Sequence, residues 1–248
     1  MENPVYIGLS RQVALRDQMD LIANNVANMS TPGYRAQNMV FTEFLEKPKG
    51  KNDELGKQDP LSFVLDYGQY QVNEEGPMQY TGNPLDVALS GPGYIGVQKP
   101  GSQETGYTRA GNFQINVNGE LVTGRGDNVL DEGGSPIVIP ENAGKVSIAE
   151  DGSVTTEKGD VGKLKVVEFD DLQKLEARGD GLYYTKQQEQ PSDNTVVKQG
   201  MLEGSNVKPV LEMTRMIDVL RSYQVTQHLL QAEDDRMRTM IQRLSQVS

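Results

Sequence analysis

Gly91-Pro92-Gly93-Tyr94-Ile95-Gly96 has the glycine spacing of a loop that cradles a dinucleotide pyrophosphate, and it follows the apolar run Val87-Ala88-Leu89. Such a loop must open a helix whose N-terminus faces the phosphates. Here Val97-Gln98-Lys99-Pro100 reads as another strand running into a break, so the glycines predict a tight hairpin and no cofactor. Carboxylates pair at Asp170-Asp171 and Asp234-Asp235 and cluster at Asp127, Asp131 and Glu132. A glycosidase needs two carboxylates opposed across a cleft, one with a raised pKa, and neighbours on a strand point to opposite faces. The cluster also lacks the alternating ligands and closing glutamate of a calcium loop. Solvated turns and helix surfaces account for these acids. The single histidine, His228, has no recognisable acid and nucleophile beside it, and the chain has no cysteine, which removes disulfides, thiolate nucleophiles and Cys-based metal sites. No catalytic residue, metal ligand or cofactor is expected.

The elements that position these residues are of two kinds. Leu15, Met19, Ile22, Val26 and Met29 recur at spacings of 4, 3, 4 and 3, one stripe of a helix in the coiled-coil manner. Pro32 and Gly33 should end that helix near Met29. Met213, Met216, Leu220, Tyr223, Gln227, Leu230, Asp234, Met237, Ile241 and Leu244 follow a 3, 4 alternation, predicting a second helix from Pro209 to Leu244. Between them lie 23 of the 26 glycines, in residues 46–200, with short alternating runs such as YTRAGNFQINVNGELVT. Asn118-Gly119 and Asp151-Gly152 are hairpin turn signals, and residues 46–60 read as a polar loop or linker. The expected class is α+β: N- and C-terminal helices forming a coiled-coil domain, with a mainly antiparallel β domain between them. The expected division is an N-terminal helix over 1–33, an extended connector and loop over 34–75, a β-rich domain over 76–200 and a C-terminal helix over 201–248.

Charge is unevenly placed. Residues 1–45 carry 3 basic and 4 acidic groups, residues 201–248 carry 6 of each, and the middle carries 15 against 25, so the net of -11 sits almost wholly in the β-rich part. An acidic body lacks the clustered Lys and Arg that displace counterions from nucleic acid or bind anionic membranes. The N-terminus has Arg11 and Arg16 before any apolar run long enough for a signal peptide, and no segment has the length and apolarity to span a bilayer. If the protein leaves the cytoplasm, the route is expected to need no cleaved signal.

The run ANNVANMSTPGYR, residues 23–35, places Asn24, Asn25 and Asn28 where a helix should end in apolar residues. Asparagine is a poor helix former because its amide competes for backbone hydrogen bonds. Asn24 and Asn28 fall on one face at i and i+4, positioned to bond a neighbouring helix; a local cap by Asn28 explains only one of the three.

This run resembles the N-terminal signature of the bacterial flagellar axial proteins, the rod and hook family, in which an Ala-Asn-Asn-aliphatic-Ala-Asn helix end leads through a Thr and Gly turn to an aromatic and a basic residue, here Thr31, Gly33, Tyr34 and Arg35. TGNPLDVALSGPGYIGV at 81–97, YTRAGNFQINVNGELVTGRGDNVL at 107–130 and QGMLEGSNVKPVLEMTRMIDVLRSY at 199–223 resemble the same family. Lys208 stands where hook-side relatives usually carry a second Asn, and Tyr94-Ile95 where a Phe pair is common. Length and the short central region look most like the proximal rod; the distal rod, which shares most of these motifs, and a hook-family subunit are the alternatives within the family.

The resemblance implies a structural subunit, not an enzyme, of a helical assembly that transmits motor torque and encloses an export channel. It implies a periplasmic basal-body location, export through the flagellar type III apparatus, and other rod subunits and itself as partners, with no nucleic acid and no membrane insertion. The implied subunit interface comprises Leu15, Met19, Ile22, Asn24, Asn25, Val26, Asn28, Met213, Met216, Leu220, Tyr223, Leu230, Met237, Ile241 and Leu244. A carbohydrate-binding or hydrolytic β protein and a helical adaptor remain open as other classes. The first needs an aromatic platform or an acid pair; the second would stop at a small complex.

Overall fold

A computed structural model describes residues 3–46, 61–179, 181–192 and 194–247. The chain divides into two compact units, one built from Met1–Ala27, Gln37–Tyr70 and Lys208–Ser248, the other from Asn28–Ala36 and Gln71–Val207. Most of the polar stretch 46–60 lies outside the described residues.

In the first unit, helix α1 spans Asn3–Ala27 and helix α2 spans Pro209–Val247. They run antiparallel: a Cβ on Gly8 would lie 2.7 Å from Leu230 Cδ2, while Asn25, at the other end of α1, bonds Glu212. Absence of a side chain at Gly8 is what lets Leu230 come so close. The α1 face toward the unit interior buries Ala14, Leu21 and Ile22. Within the stretch expected to be an extended connector, Gln37–Glu46 and Leu61–Gln71 pair as a two-stranded sheet. No described helix is long and apolar enough to cross a membrane.

The second unit is β-rich and antiparallel. Its largest sheet runs, in spatial order, Glu176–Ala177, Tyr183–Tyr184, Thr105–Thr108, Tyr94–Gln98, Asn128–Val129, Leu121–Thr123 and Phe113–Ile115, with Val166–Glu168 also bonded to Tyr94–Gln98. Ile95 and Val97 of the strand with three partners are fully buried, and Val87, Leu89, Phe113, Leu121, Val129, Val154 and Leu164 close the core around them. Tyr94, Tyr107, Phe169 and Tyr183 make a separate aromatic cluster, with edge-on contacts at 5.6 Å for Tyr94–Tyr183 and 4.8 Å for Tyr107–Phe169. The turn signals at Asn118-Gly119 and Asp151-Gly152 join paired strands as expected.

The hairpin expected at residues 91–96 is not formed. Val87–Ser90 pairs with Val196–Gln199, whereas Tyr94–Gln98 pairs within the large sheet, so the glycines link strands of two sheets. Their absent side chains serve a close approach: a Cβ on Gly91, at φ +125°, would lie 2.4 Å from the carbonyl oxygen of Asn194. The Gly91 N–H already donates to Glu75 and the Gly93 N–H to Thr195 Oγ1, leaving neither to hold a phosphate. A second correction concerns Asp127, expected as a solvated turn acid. It is buried and accepts a hydrogen bond from the Thr123 hydroxyl at 3.1 Å, as a turn-fixing group.

Buried and exposed positions of one strand should respond differently to truncation. Phe113→Ala, at a side chain only 1% exposed, should lower unfolding free energy by about 3–5 kcal/mol. Ile115→Ala, two residues on and 43% exposed, should cost about 0.5 kcal/mol or less. Urea unfolding of the two variants checks the contrast; equal losses would place the core elsewhere.

Candidate functional site

Two polar clusters fix the segments that the sequence singled out. In the first unit, Asn25 is wholly buried near the end of α1. Its Oδ1 accepts the Gln37 N–H at 3.0 Å, and its amide donates to the Gln37 carbonyl at 2.8 Å and to Glu212 Oε2 at 3.2 Å. One side chain thus ties α1 to the start of the two-stranded sheet and to the first turns of α2. Arg215 donates to the other Glu212 oxygen at 2.7 Å, so the buried carboxylate has partners on both sides.

In the second unit the node is Glu203, 1% exposed, whose carboxylate lies between two guanidinium groups. Arg35 reaches Oε1 at 2.8 Å and Arg109 reaches Oε2 at 2.7 Å, with the Gly76 N–H donating to Oε1 at 2.9 Å. Two arginines against one carboxylate leave a surplus buried charge, which backbone carbonyls moderate. Arg109 Nη1 donates to Gly91 and Gly93, and Nη2 to Leu89. Arg35 donates to the Asn73 carbonyl. Burial, and then the neighbouring Arg109, push the Arg35 guanidinium below the ordinary arginine value, with Glu203 opposing. Burial raises the Tyr94 phenol, against the pull of Arg109, whose guanidinium carbon stands 5.6 Å from the ring centroid.

The same node explains residues on either side. The Gly33 N–H donates to the Glu203 carbonyl at 2.8 Å, and a Cβ on Gly33, at φ +68°, would collide with the Arg109 backbone at 2.4 Å. Asn206 Oδ1 accepts the Ala36 N–H at 2.6 Å while its amide donates to the carbonyls of Val72 and Glu74. The end of ANNVANMSTPGYR, the Arg109 of YTRAGNF and the Glu-Gly-Ser-Asn of the C-terminal motif therefore meet at one place. Sequence reasoning had the three motifs but not their meeting. The available signal was opposite charge inside otherwise apolar or glycine-rich stretches.

The singled-out helix residues fall into distinct settings. Ile22 and Asn25 are buried; Leu15, Met19, Val26, Asn28, Met216, Tyr223, Leu230 and Met237 are half-buried; Asn24, Met213, Leu220, Ile241 and Leu244 are exposed. Asn28 closes the helix end locally, its carbonyl accepting the Thr31 N–H and its Oδ1 the Thr31 hydroxyl at 3.2 Å. On α2 the positions turned inward are Glu212, Met216, Val219, Tyr223, Thr226, Leu230, Glu233 and Met237, a seam that shares only alternate positions with the expected stripe. Among the described residues no group of His, Asp and Glu could hold a metal ion, and His228 is exposed on α2.

The described residues thus form an antiparallel helix pair built from the two ends of the chain and an antiparallel β unit fixed by a buried ionic lock. Three stretches match known families: residues 5–35 the flagella basal body rod protein, residues 88–156 the D1 domain of the flagellar hook protein FlgE/F/G, and residues 198–243 the C-terminal part of the flagellar basal body rod FlgEFG protein. The flagellar basal-body rod protein FlgF of Caulobacter vibrioides is 37% identical over 250 residues, covering 100% of both chains. FlgF of Mesorhizobium japonicum is 34% identical, covering 97% of this chain and 98% of its own, and FlgG of Buchnera aphidicola subsp. Schizaphis graminum is 32% identical, covering 92% and 93%. The chain belongs to the flagellar basal-body rod protein family, with F-type rod proteins among its full-length relatives. It is a structural subunit of the flagellar basal body that assembles with other rod and hook-type subunits, not an enzyme.

The lock should behave unlike a surface ion pair. Glu203→Gln keeps the shape but leaves two guanidinium groups buried without their counter-charge, which should cost about 3–5 kcal/mol. Glu132→Gln, removing the exposed pair with Lys163, should cost at most about 1 kcal/mol. Urea midpoints of the two variants are the readout, and a Glu203→Gln variant as stable as wild type would show that the lock holds nothing.

Proposed function

We propose that this chain is a proximal-rod subunit, its two terminal helices forming a coiled-coil domain that packs into an inner tube around an export channel while the β unit lies outside. In this reading the helices within 1–33 and 201–248 build the tube and 76–200 form the outer part, with 34–75 between them in the chain. The partners are other rod subunits and further copies of itself, and the tube carries motor torque across the periplasm. The type III export apparatus delivers the subunit without a cleaved signal.

The observation that carries the reading is the exposed apolar surface left on the helix pair. Met213 is 48% exposed, Leu220 43%, Ile241 66% and Leu244 73% after α1 and α2 have packed together. An isolated monomer gains nothing from that stripe, whereas a neighbouring helix would bury it. Opposite the seam, α2 carries an unbroken polar row of Arg221, Gln224, His228, Gln231, Asp235, Arg238, Gln242 and Ser245, all exposed. A hydrated row of this kind suits the wall of a water-filled channel. The proposed interface keeps the full set of helix residues in three roles. Leu15, Met19, Ile22, Asn25, Val26, Met216, Tyr223, Leu230 and Met237 hold the pair together, Asn28 closes the α1 end, and Asn24, Met213, Leu220, Ile241 and Leu244 face neighbours.

The pairing and neighbour-facing roles separate by mutation. Leu220→Asp should leave monomer stability within about 0.5 kcal/mol, because the side chain is already partly in water, yet abolish incorporation into basal bodies and motility. Asn24→Leu should impair incorporation. Asn25→Leu should instead destabilise the monomer by about 1–3 kcal/mol for each partner left unsatisfied. Unfolding of the purified chains, set beside the ratio of incorporated to exported protein in cells, reads both effects; normal swimming with Leu220→Asp would remove the stripe from the interface.

A further inference from the structure

We infer that the cavity beside the Glu203 lock binds a small oxyanion, a carboxylate or a phosphate, held by Arg35, Arg109 and Tyr94. It lies wholly within the second unit, and the inference does not depend on the rod reading.

The cavity measures about 230 Å³, and Arg35, Arg109, Tyr94, Asn73 and Glu75 are among its lining. These residues keep donors that the lock does not use. Arg35 commits two of its five guanidinium N–H groups, to the Asn73 carbonyl at 3.2 Å and to Glu203 at 2.8 Å, and the other three have no acceptor among the described residues. Arg109 keeps one N–H, since Nε goes to Glu203, Nη1 to the Gly91 and Gly93 carbonyls and one Nη2 hydrogen to Leu89. The Tyr94 hydroxyl, on a residue only 2% exposed, likewise has no hydrogen-bond partner among the described residues. Burial raises its pKa and so keeps it a donor.

A second observation points to the same place. Residues 71–75 run extended: the carbonyls of Val72 and Glu74 both turn to the Asn206 amide, and the Asn73 carbonyl turns the other way to Arg35. Alternation then sets the side chains of Gln71, Asn73 and Glu75 on one face, the face that lines the cavity through Asn73 and Glu75. Gln71 is 7% exposed, yet neither its amide nitrogen nor its oxygen has a partner among the described residues. Burying an amide in this way costs free energy that a bound polar group would return.

Charge selects the kind of group. Two guanidinium groups share the one carboxylate of Glu203, and burial and the neighbouring Arg109 both oppose the charge on Arg35. An oxyanion supplies the missing charge and accepts the unused N–H and O–H groups as a strong, charge-assisted acceptor. The one carboxylate on the lining, Glu75, is exposed and its Oε1 takes the Gly91 N–H at 2.7 Å. It stands at the site as a competing charge that a bound anion must tolerate.

The test uses the full-length chain and two probes. Its urea unfolding midpoint is followed at fixed pH and ionic strength as sodium chloride is replaced by sodium acetate or by sodium phosphate. The expected result is a midpoint that rises and saturates with at least one probe, as binding to the folded state requires. Saturation by acetate alone identifies a carboxylate ligand, and by phosphate alone a phosphate. Tyr94→Phe, which keeps the ring and removes one donor, should weaken the apparent Kd about tenfold. Glu75→Gln should tighten it about threefold or more by removing the competing charge. Because Glu75 is exposed, that arm stands even if Tyr94→Phe does not fold. A midpoint that climbs without saturating, as any excluded salt produces, or one that saturates identically in all three chains, means an adventitious ion only and overturns the inference.

Discussion

The carboxylate of Glu203 is the constraint on which the β unit depends. Taking a carboxylate and two guanidinium groups out of water is costly, and a well-packed apolar trio would serve stability as well or better. What apolar packing does not supply is a unique set of partners. Glu203 has two oxygens, and each is claimed by a different arginine from a different part of the chain, while its own backbone carbonyl takes the Gly33 N–H. The turn after α1, the Thr105–Thr108 strand with its following arginine, and the Met201–Glu203 strand are thereby held in one arrangement. Arg109 extends the constraint to the Gly91 and Gly93 carbonyls, in a loop whose glycines admit the close approach of Asn194 and Thr195 and which resembles, without being, a phosphate loop.

The helix pair applies the same logic with a neutral group. Asn25 has one acceptor and two donor hydrogens, and its three bonds join three elements of its unit. Apolar side chains along a stripe tolerate sliding by a turn or rotation by one position. An amide with fixed partners does not. Of the three asparagines in ANNVAN, one sets the register of the pair, one closes the helix, and Asn24 lies on the exposed side.

Much of this was legible beforehand. Both helices were evident from period alone, and α1 ended two residues before the expected Met29. The turn dipeptides located two hairpins because their backbone requirement is local. The face of α2 was less legible: the seam uses Glu212, Val219 and Thr226 where the apolar period pointed to Met213 and Leu220. A polar residue can be buried when its hydrogen bonds are met, as when the Thr226 hydroxyl donates to the Ser222 carbonyl, and period alone cannot register that. The missing hairpin at residues 91–96 failed for a different reason. Strand partners far along the chain decide it, since Val87–Ser90 pairs with Val196–Gln199, and no local signal encodes such a choice.

That long-range pairing also bears on the order of folding. Val87–Ser90 waits for Val196–Gln199, Met78–Tyr80 waits for Met201–Glu203, and neither Arg35 nor Arg109 meets its carboxylate until residue 203 is present. Closing loops of that length is slow, and partial β structures with open edges are prone to wrong association. A chain that emerges N-terminus first therefore spends most of its emergence with its strands short of their final partners, and the β unit becomes a single cooperative body only near the end. Delayed locking keeps the segment threadable for as long as it is incomplete, and makes the arrival of the last strand the event that commits it to one shape.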